Sequence, residues 1–554
     1  QFHLPDAFRP EALDEAGAVV RSFNVVDVIA SRADLSDRTI VTIDPDTARD
    51  FDDAISLVAL KPSKKTPRPA QGKSARSRRR RGAGEAAWEL GVHIADVSTF
   101  VPEGGELDAD ASERGTSVYF PGHVIPMLPE VLSNGLCSLQ QGEPRLCKSA
   151  FIQYDAAGKV VGARIANTVI RSAKRLTYRQ AQAILDGKVG RFRNTIVELV
   201  KRMDKLARLI RQRRLDDGMI VLDLREVELK FDDKDRVIDA EPTDDSFTHT
   251  IIEMFMVEAN EAVARLLRGL RAPFLRRIHP EPDEAAMESV TKFLRAAGHA
   301  LPKSPTQADV QELLARVKGR PESYAVNLAI LKSMQQAEYS PRDIGHFALA
   351  SDCYAHFTSP IRRYPDLIVH RLLQMYLDGL VRRGRMHSDV PDEAKLVDWG
   401  RRLSYASRRA ESAEREYRTL KILQLLSEHL GDTFKGIITS VTNFGLFVQH
   451  PKYLIEGLLR LENLGDDWWD VDVATGRIIG QRTRQVLAIG KVVTVQISEV
   501  NLSSRQLNLQ FVSAAAPRGS SKDKSGPAPI RKGRKGPAKG SRKVGRSRRT
   551  KRRR

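Results

Sequence analysis

The 554-residue chain contains only three cysteines, Cys137, Cys147 and Cys353, and none of them forms a C-x-x-C pair. A small, odd number of cysteines argues against a disulfide framework and against a zinc site, and it fits a reducing compartment. The chain also lacks a run of eighteen apolar residues and a signal peptide, so we expect no membrane association. It begins with Gln1 rather than Met, and we therefore expect further sequence upstream.

Positive charge is concentrated in two segments. The chain has 90 Lys and Arg residues against 70 Asp and Glu residues, a net charge of +20. Residues 61–82 hold ten of the basic residues and no acid, and residues 514–554 hold seventeen with one acid. Without these 27 basic residues and one acid, the rest of the chain carries a net charge of −6. A nucleic-acid channel in the folded body would therefore depend on local clusters of basic side chains.

Hydrophobic patterning predicts an α+β body followed by a small barrel, and the length predicts about three or four folding units. Strand-like runs at 54–60 and 87–98 flank a basic segment, 61–84, which is predicted to be a disordered insert projecting from a hairpin-like edge. After Gly431, four or five short β-rich runs predict a closed barrel of the OB type. Helical periodicity, which indicates long helices around a sheet, covers about 190–215, 245–270, 360–382 and 393–429.

The most informative stretch is IDPDTARDFDDA, residues 43–54, which holds five aspartates within ten positions. Neighbouring carboxylates repel one another, and ionised oxygens cannot donate hydrogen bonds to each other. A divalent cation removes this conflict, and Mg²⁺ favours a few carboxylates together with water and substrate phosphate. In an extended strand Asp53 would point away from Asp50 and Asp52, so convergence requires a bend. Pro45 suits such a turn.

Two other interpretations of this stretch remain at this point. It could be a solvated acidic turn, although Phe51, Ala54 and Ile55 connect it to a core. It could also hold Ca²⁺, but it lacks the glycine at position six and the glutamate at position twelve of an EF-hand loop.

A second signal is HFTSPIRRYPDLIVHR, residues 356–371, in which Arg362 and Arg363 follow Pro360 at the start of a predicted helix. Backbone N–H groups at such a position favour anions. A guanidinium beside a metal-bound phosphate would stabilise charge that develops during phosphodiester cleavage. The alternative is an ion pair with Asp366, and it stays open above all for Arg363.

These two stretches resemble the catalytic and arginine signatures of the ribonuclease II/ribonuclease R (RNB) family. The likeness runs nearly continuously over residues 36–512, and the basic tail is more similar to the ribonuclease R branch. Further similar segments are HIADVSTFV (93–101), RGTSVYFPGHVIPMLPEVLSNGLCSL (114–139), RLTY (175–178) and GHFALA (345–350). The domains that the resemblance implies are an N-terminal linker (1–35), an RNB catalytic domain (36–428, with the insert 61–84), an OB-fold RNA-binding domain (430–513) and a disordered Lys/Arg-rich tail (514–554).

The resemblance implies processive 3′→5′ hydrolysis of single-stranded RNA to nucleoside 5′-monophosphates, by a monomer in the bacterial cytoplasm. Expected substrates are single-stranded 3′ ends and structured RNA with an overhang. Mg²⁺ is the expected cofactor, and Mn²⁺ fits the same all-oxygen site. The tail is expected to bind RNA or the ribosome through phosphates, without sequence preference.

Two alternatives to this function remain. The first is a catalytically inactive RNA-binding protein of the same fold, and the intact aspartates together with Arg362 argue against it. The second is a DNA-directed or sugar-nonspecific nuclease, which only contacts to the ribose 2′-hydroxyl would exclude.

Carried over by position, the resemblance implies metal-site carboxylates at Asp44, Asp50, Asp52 and Asp53, with Asp52 or Asp53 the most damaging single loss. Arg362 would contact the scissile phosphate, and Arg363 would help to bind RNA.

The resemblance also implies contacts to the last nucleotides of the RNA. Tyr119 matches the aromatic that stacks on the terminal base, and Tyr178 matches the tyrosine that limits how short the final product becomes. Glu253 falls near the glutamate that recognises the 3′-terminal ribose. Leu222 replaces a second aromatic clamp, so we expect a weaker grip on the last nucleotides.

In the barrel, an RNA-binding face is expected from Phe434, Phe444 and Phe447 with Lys435 and Arg460. Some of these aromatic rings would instead fill the barrel interior.

Overall fold

The computed structural model describes residues 2–24, 28–60, 85–234, 236–296, 298–302, 304–320 and 322–514. The predicted disorder of the insert and of the tail beyond Ala514 concerns residues outside this part of the chain. The first nine strands are β1 (Ala33–Asp34), β2 (Val41–Asp44), β3 (Asp53–Ala59), β4 (Trp88–Ala95), β5 (Val118–Phe120), β6 (His123–Ile125), β7 (Pro144–Tyr154), β8 (Val160–Arg171) and β9 (Lys174–Thr177).

Seven of these strands form the central sheet, in the order β1-β8-β7-β4-β3-β2-β9. β3 and β4 pair as an antiparallel hairpin from Asp53↔Ile94 to Ala59↔Trp88, as the two strand-like runs predict. The hairpin lies in the middle of the sheet, because β2 and β7 flank it. β5 and β6 form a separate two-stranded hairpin.

Ten helices are described, and the four long helical patterns in the sequence correspond to α4, α5, α9 and α10. Their bounds are α1 (Pro10–Ser22), α2 (Glu106–Arg114), α3 (Tyr178–Leu185), α4 (Asn194–Asp216), α5 (Phe247–Leu270), α6 (Glu284–Ala296), α7 (Gln307–Val317), α8 (Ser323–Ser333), α9 (Tyr364–Leu377) and α10 (Glu393–Ser427). The sequence patterns did not predict α6, α7 and α8. These helices have 13, 11 and 11 residues and share a small core that includes Leu294, Leu313 and Val326.

The helices cover both faces of the central sheet. Along β3, Ile55 and Leu57 pack into a core shared with α4 and α5, whereas Ala54 packs into a second core shared with α2, α9 and α10. This alternation follows from the two-residue period of a strand. Helix α9 contributes side chains to both cores, and Phe357, just before it, is fully buried in the first. The strand ends that carry the acidic stretch are therefore held from both sides.

A buried ion-pair network lies at the end of β4. Asp96 and Lys148 are fully buried, and their closest N–O distance is 3.2 Å, while Arg32 Nη2 donates to Asp96 Oδ2 at 2.7 Å. Lys148 Nζ also donates to the side-chain oxygen of Gln374 at 2.6 Å, which joins the sheet to α9. Burial alone would raise the pKa of Asp96, but Lys148 and Arg32 hold it well below its usual range.

Asp96→Asn is expected to lower the free energy of unfolding at neutral pH by about 3–5 kcal/mol, because it leaves two buried cations without their partner. A carboxyl whose pKa is lowered by folding stabilises the fold above its unfolded pKa of about 4, and this stabilisation is lost as the pH falls below that value. Chemical denaturation at pH 7 and at acid pH measures both effects. Asp398→Asn, which removes an exposed pair with Arg402, is the control and should cost less than about 1 kcal/mol. An equal loss in both variants would contradict the assignment.

The remaining strands include the predicted barrel. They are β10 (Val227–Phe231), β11 (Val237–Pro242), β12 (Arg276–Ile278), β13 (Glu338–Ser340), β14 (Thr433–Thr442), β15 (Gly445–Gln449), β16 (Glu456–Arg460), β17 (Trp469–Asp472), β18 (Arg477–Gly480), β19 (Val486–Ala488), β20 (Val492–Asn501) and β21 (Gln506–Ala514). The order β14-β15-β16-β21-β20 closes a five-stranded barrel, which confirms the predicted OB-type domain. The three-stranded sheet β17-β18-β19, inserted between β16 and β20, was not foreseen.

Within the described ranges, the structure has no helix that is both long enough and apolar enough to cross a lipid bilayer.

Candidate active site

The acidic stretch occupies the turn between β2 and β3. β2 ends at Asp44, and β3 begins at Asp53. Arg175 holds this turn from β9, because its Nη2 donates to the backbone carbonyl oxygens of Pro45 at 2.6 Å and Asp46 at 3.1 Å. Ser138 holds the other side, since its hydroxyl donates to the carbonyl oxygen of Arg49 at 2.6 Å. The chain therefore bends between Asp44 and Asp53, as the sequence predicts, and hydrogen bonds from Arg175 and Ser138 stabilise the bend.

Asp52 is the most enclosed carboxylate of the site, with 4% of its surface exposed. Its Oδ1 accepts a hydrogen bond from the backbone N–H of Ile361 at 3.0 Å, and its Oδ2 lies 3.5 Å from Nε of Arg362. Burial raises the pKa of Asp52 well above its usual range, although Arg362 and the Ile361 N–H act in the opposite direction. Asp52 thus connects the acidic turn to the arginine segment.

Asp44 and Asp53 are two further carboxylates of the site, and each has a side-chain oxygen without a hydrogen-bond partner. These two oxygens, the Oδ2 atom of each side chain, are buried. Burial and the charge of Asp53 raise the pKa of Asp44 to about 8, and burial raises the pKa of Asp53 to about 6. Two buried carboxylates in this condition are costly to ionise unless a cation compensates them.

Asp50 faces the β5–β6 hairpin, which carries Tyr119. The Tyr119 hydroxyl donates to Asp50 Oδ2 at 2.8 Å, and the Tyr119 backbone N–H donates to Oε1 of Glu414 on α10 at 2.6 Å. Burial and the Asp50 carboxylate raise the pKa of Tyr119 above its usual range. The residue predicted to stack on a terminal base therefore lies directly beside the carboxylates.

The position of Arg362 is fixed by hydrogen bonds to its backbone carbonyl oxygen. Its carbonyl oxygen accepts hydrogen bonds from the Ser117 N–H and the Thr116 hydroxyl, both at 3.0 Å, which join the arginine segment to the strand that carries Tyr119. Its guanidinium donates to the Ser359 hydroxyl at 3.1 Å and leaves 43% of the side chain exposed. A partly exposed cation beside buried carboxylates is suited to a phosphate ligand.

Arg363 takes the ion pair that the sequence left open. Its Nη2 donates to Asp366 Oδ1 at 2.7 Å, and it is the N-cap residue of α9, which begins at Tyr364. Asp366 is fully buried and also accepts from the Ser359 N–H at 2.8 Å. Arg363 therefore fixes the start of α9, and its predicted contact with RNA stays a prediction.

Tyr178 is adjacent to the acidic pair because β9 runs parallel to β2, with Thr177 opposite Asp44, and then leads into α3. Burial and the charges of Asp53 and Asp44 raise the pKa of Tyr178 above its usual range. Asp44, Asp50, Asp52, Asp53, Arg362, Tyr119 and Tyr178 are thus brought to one site.

The structure does not test the remaining predicted contacts to RNA. Glu253 is exposed on α5, where partial burial raises its pKa and the charges of Arg211 and Arg214 oppose that shift, and its contact with the terminal ribose stays a prediction. Leu222 packs against the small core of α6, α7 and α8. In the barrel, Phe444 is 54% exposed and forms an edge contact with Phe447, whereas Phe434 packs against the barrel core and His450.

Two histidines near the site are structural. His93 is buried with its ring nitrogens bonded to the hydroxyls of Ser56 and Ser149, and burial lowers its pKa to about 3. Nδ1 of His356 is hydrogen-bonded to the Tyr339 hydroxyl at 2.9 Å. Burial holds the pKa of His356 well below its usual range. Burial and these hydrogen bonds give both imidazoles a structural role.

The site suits a hard divalent cation bound in part by its substrate. Among the described residues, no three His, Cys, Asp or Glu side chains already surround one metal position. Mg²⁺, however, commonly takes one or two carboxylates and completes its shell with water and phosphate. The unpartnered Oδ2 atoms of Asp44 and Asp53 supply that donor set.

Sequence reasoning missed the residues that support this site. Arg175 and Ser138 brace the acidic turn, and Glu414 fixes the Tyr119 strand. Arg175 lies in the RLTY segment, so that motif could have pointed to it. Glu414 lies in the middle of a 35-residue helix with many charged residues, where sequence gives no sign of its role.

Comparison with known proteins identifies the class to which this fold and site belong. The RNB domain matches residues 32–379, and the S1 RNA binding domain matches residues 429–510. The chain therefore belongs to the RNB family, as the two sequence signatures predict, and carries an S1 domain with the OB-type barrel.

Within this family the chain is similar to bacterial Ribonuclease R. It is 35% identical over 522 residues to Ribonuclease R of Escherichia coli (strain K12), an alignment that covers 92% of this chain and 61% of that protein. It is also 35% identical over 517 residues to Ribonuclease R of Aquifex aeolicus, covering 92% and 69% of the two chains. The chain thus spans about three fifths of the length of the first of these relatives.

Solved structures agree with this similarity. Mycoplasma genitalium RNase R in complex with ribose methylated single-stranded RNA matches with a TM-score of 0.80 and 28% identity, over 91% of this chain and 76% of that one. The same protein in complex with double-stranded RNA matches with a TM-score of 0.75 and 27% identity, over 91% and 81%.

Proposed function

We propose that this protein is a processive, hydrolytic 3′→5′ exoribonuclease that degrades single-stranded RNA to nucleoside 5′-monophosphates. The observation that carries the proposal is the convergence of four aspartates with Arg362 and Tyr119 in one site of an RNB fold. The alternative of a catalytically inactive RNA-binding protein is not favoured, because such a protein would have no need to retain this costly set of buried carboxylates.

Each side chain has a part in this reaction. The exposed portion of Arg362 would bind the scissile phosphate and stabilise its charge as the attacking oxygen approaches. Asp52 would orient that guanidinium, and the Ile361 N–H would keep Asp52 in place. The Tyr119 ring would stack on the terminal base, which aligns the last phosphodiester bond with the carboxylates.

RNB ribonucleases are divalent-metal-dependent hydrolases, and we propose Mg²⁺ as the ion, with Mn²⁺ as a substitute. Asp44 and Asp53 would hold it, with Asp50 and Asp52 beside them. A bound divalent cation would lower the pKa of the attacking water and neutralise charge on the phosphate.

RNA with a free 3′ end, alone or as an overhang of structured RNA, is the proposed substrate. In support, the Mycoplasma genitalium relative has been solved with single-stranded and with double-stranded RNA. We further propose that the protein acts as a monomer in the bacterial cytoplasm. Its seventeen basic residues beyond Ser513 would bind RNA or ribosomal phosphates.

The proposal is tested by following a 5′-labelled RNA of about 30 nucleotides with purified protein and Mg²⁺. A processive 3′→5′ enzyme converts the full-length RNA to a short labelled product without a ladder, and a chelator stops the reaction. DNA of the same sequence should persist if the 2′-hydroxyl is recognised. Tight binding without cleavage would support the inactive alternative, and equal cleavage of DNA would support the sugar-nonspecific one.

Phe444→Ala is expected to weaken binding of single-stranded RNA about five- to thirtyfold, because loss of one stacking ring costs roughly 1–2 kcal/mol. Phe444 is 54% exposed, so the barrel should keep its fold. The matched control is Val512→Ala, which removes an apolar side chain of similar exposure, 52%, from β21 of the same barrel, whereas Phe444 lies in the turn between β14 and β15. Fluorescence anisotropy with a labelled RNA measures both. Equal affinities for the two variants would exclude the Phe444 face.

A further inference from the structure

The backbone around Tyr178 is held by a capping box and by a hydrogen bond from α5. Thr177 and Gln180 form a capping box at the start of α3, with the Gln180 N–H donating to the Thr177 hydroxyl at 3.1 Å and the Gln180 side chain accepting from the Thr177 N–H at 3.1 Å. The Thr248 hydroxyl, from the first turn of α5, donates to the Tyr178 carbonyl oxygen at 3.3 Å. The backbone of this tyrosine therefore has little freedom relative to the sheet.

The ring of Tyr178 is held by a different residue. The His249 imidazole stacks on it, with ring centroids 3.6 Å apart and planes 18° from parallel. The Tyr178 hydroxyl makes no hydrogen bond within the described chain, and the ring is only partly buried. One ring face is thus covered by His249, and part of the side chain stays exposed.

His249 lies in the first turn of α5, where its backbone N–H donates to the Ser246 carbonyl oxygen at 3.1 Å. Its Nε2 is buried without a hydrogen-bond partner and lies 3.6 Å from Oδ2 of Asp244. The stack on Tyr178 is therefore the ring contact that the structure shows for this imidazole. No residue type in the sequence signatures pointed to this position.

We propose that His249 is a positioning residue that backs the Tyr178 ring and so sets the surface on which the last nucleotides of the RNA rest. The inference rests on the proposed function, because it assigns Tyr178 to the RNA. His249 touches neither the carboxylates nor Arg362 by any contact among the described residues, so it acts through Tyr178.

A double-mutant cycle separates this role from a merely structural one. The four proteins are the Asp52→Asn variant and the same variant with His249→Ala, with Tyr178→Ala and with both. Asp52→Asn keeps the RNA intact, so that affinity for a single-stranded RNA of about six nucleotides can be measured by fluorescence anisotropy. Asp245→Asn, at an exposed neighbour outside the ring stack, is the matched control, and circular dichroism confirms that each variant is folded.

His249→Ala should weaken binding about tenfold when Tyr178 is present and less than about twofold when it is absent. His249→Phe, which keeps a flat ring against Tyr178, should restore affinity to within about twofold and also serves if the alanine variant does not fold. The same loss with and without Tyr178, or no rescue by phenylalanine, would overturn the inference. Because binding is measured without cleavage, failure of the unmodified protein to degrade RNA would contradict the proposed function alone.

Discussion

Asp52→Asn is expected to slow RNA hydrolysis by about 10³-fold or more, while RNA binding stays within a few-fold of the unmodified protein. Asparagine has nearly the same shape, and its side-chain oxygen can still accept from the Ile361 N–H. It cannot carry the negative charge that faces Arg362 and that a cation at this site would need. The variant therefore removes the negative charge at this position and leaves the shape of the site unchanged.

The fold should not suffer from this substitution. Burial raises the pKa of Asp52, which means that the ionised carboxylate is held in the folded protein at a cost. An uncharged amide avoids that cost, so the free energy of unfolding should be unchanged or higher. Single-turnover rates with labelled RNA, together with chemical denaturation, measure the two quantities.

Asp46→Asn is the matched control for Asp52→Asn. Asp46 lies in the same acidic turn, but its side chain is exposed, and only its backbone carbonyl contacts Arg175. We expect its rate to stay within about twofold of the unmodified protein. Comparable losses in both variants would mean that the acidic turn acts through its total charge, and the assignment of Asp52 would be wrong.

Arg362→Gln is expected to slow hydrolysis by about 10²–10³-fold, because it removes a positive charge that lies beside Asp52 and is open to solvent. With 43% of the side chain exposed, the effect on the free energy of unfolding should be below about 1 kcal/mol. Arg362→Lys should recover part of the rate, since it restores charge without the planar guanidinium.

Arg363→Gln provides the contrast. This neighbouring arginine is paired with fully buried Asp366 at 2.7 Å, so its loss should lower the free energy of unfolding by about 3–5 kcal/mol. Denaturation and steady-state rates on both variants distinguish the two roles. If Arg362→Gln destabilised the protein as much as Arg363→Gln and slowed it no more, Arg362 would be structural.

The sequence predicted the parts of this protein that have a strong local signal. The helices α4, α5, α9 and α10 have long amphipathic patterns, the β3–β4 hairpin has two apolar runs, and the barrel has short regular strands. The aspartates were found because so many neighbouring carboxylates are costly without a cation, and Arg362 because it stands at the start of a predicted helix, where anions are favoured. A cluster of aspartates can be recognised in a sequence, and the repulsion between their carboxylates indicates that a cation binds there.

The residues that the sequence could not reveal act through long-range contacts. Glu414 meets the Tyr119 strand across 295 positions, and Arg175 meets the acidic turn across about 130. His249 covers the Tyr178 ring from another helix. None of these partners is determined by local pattern, because the pairing exists only after the sheet and helices are assembled. Arg363 shows the reverse case, in which adjacent arginines with the same local signal take different roles.

The most direct test of the account uses an RNA labelled at the phosphate of its last phosphodiester bond. With Mg²⁺ and purified protein, the account predicts that the label leaves first and entirely as a nucleoside 5′-monophosphate, and that Asp52→Asn abolishes this release. Release of the label in a longer fragment or as a 3′-phosphate, or its full retention by the unmodified protein, would contradict the claim that these carboxylates hydrolyse RNA from its 3′ end.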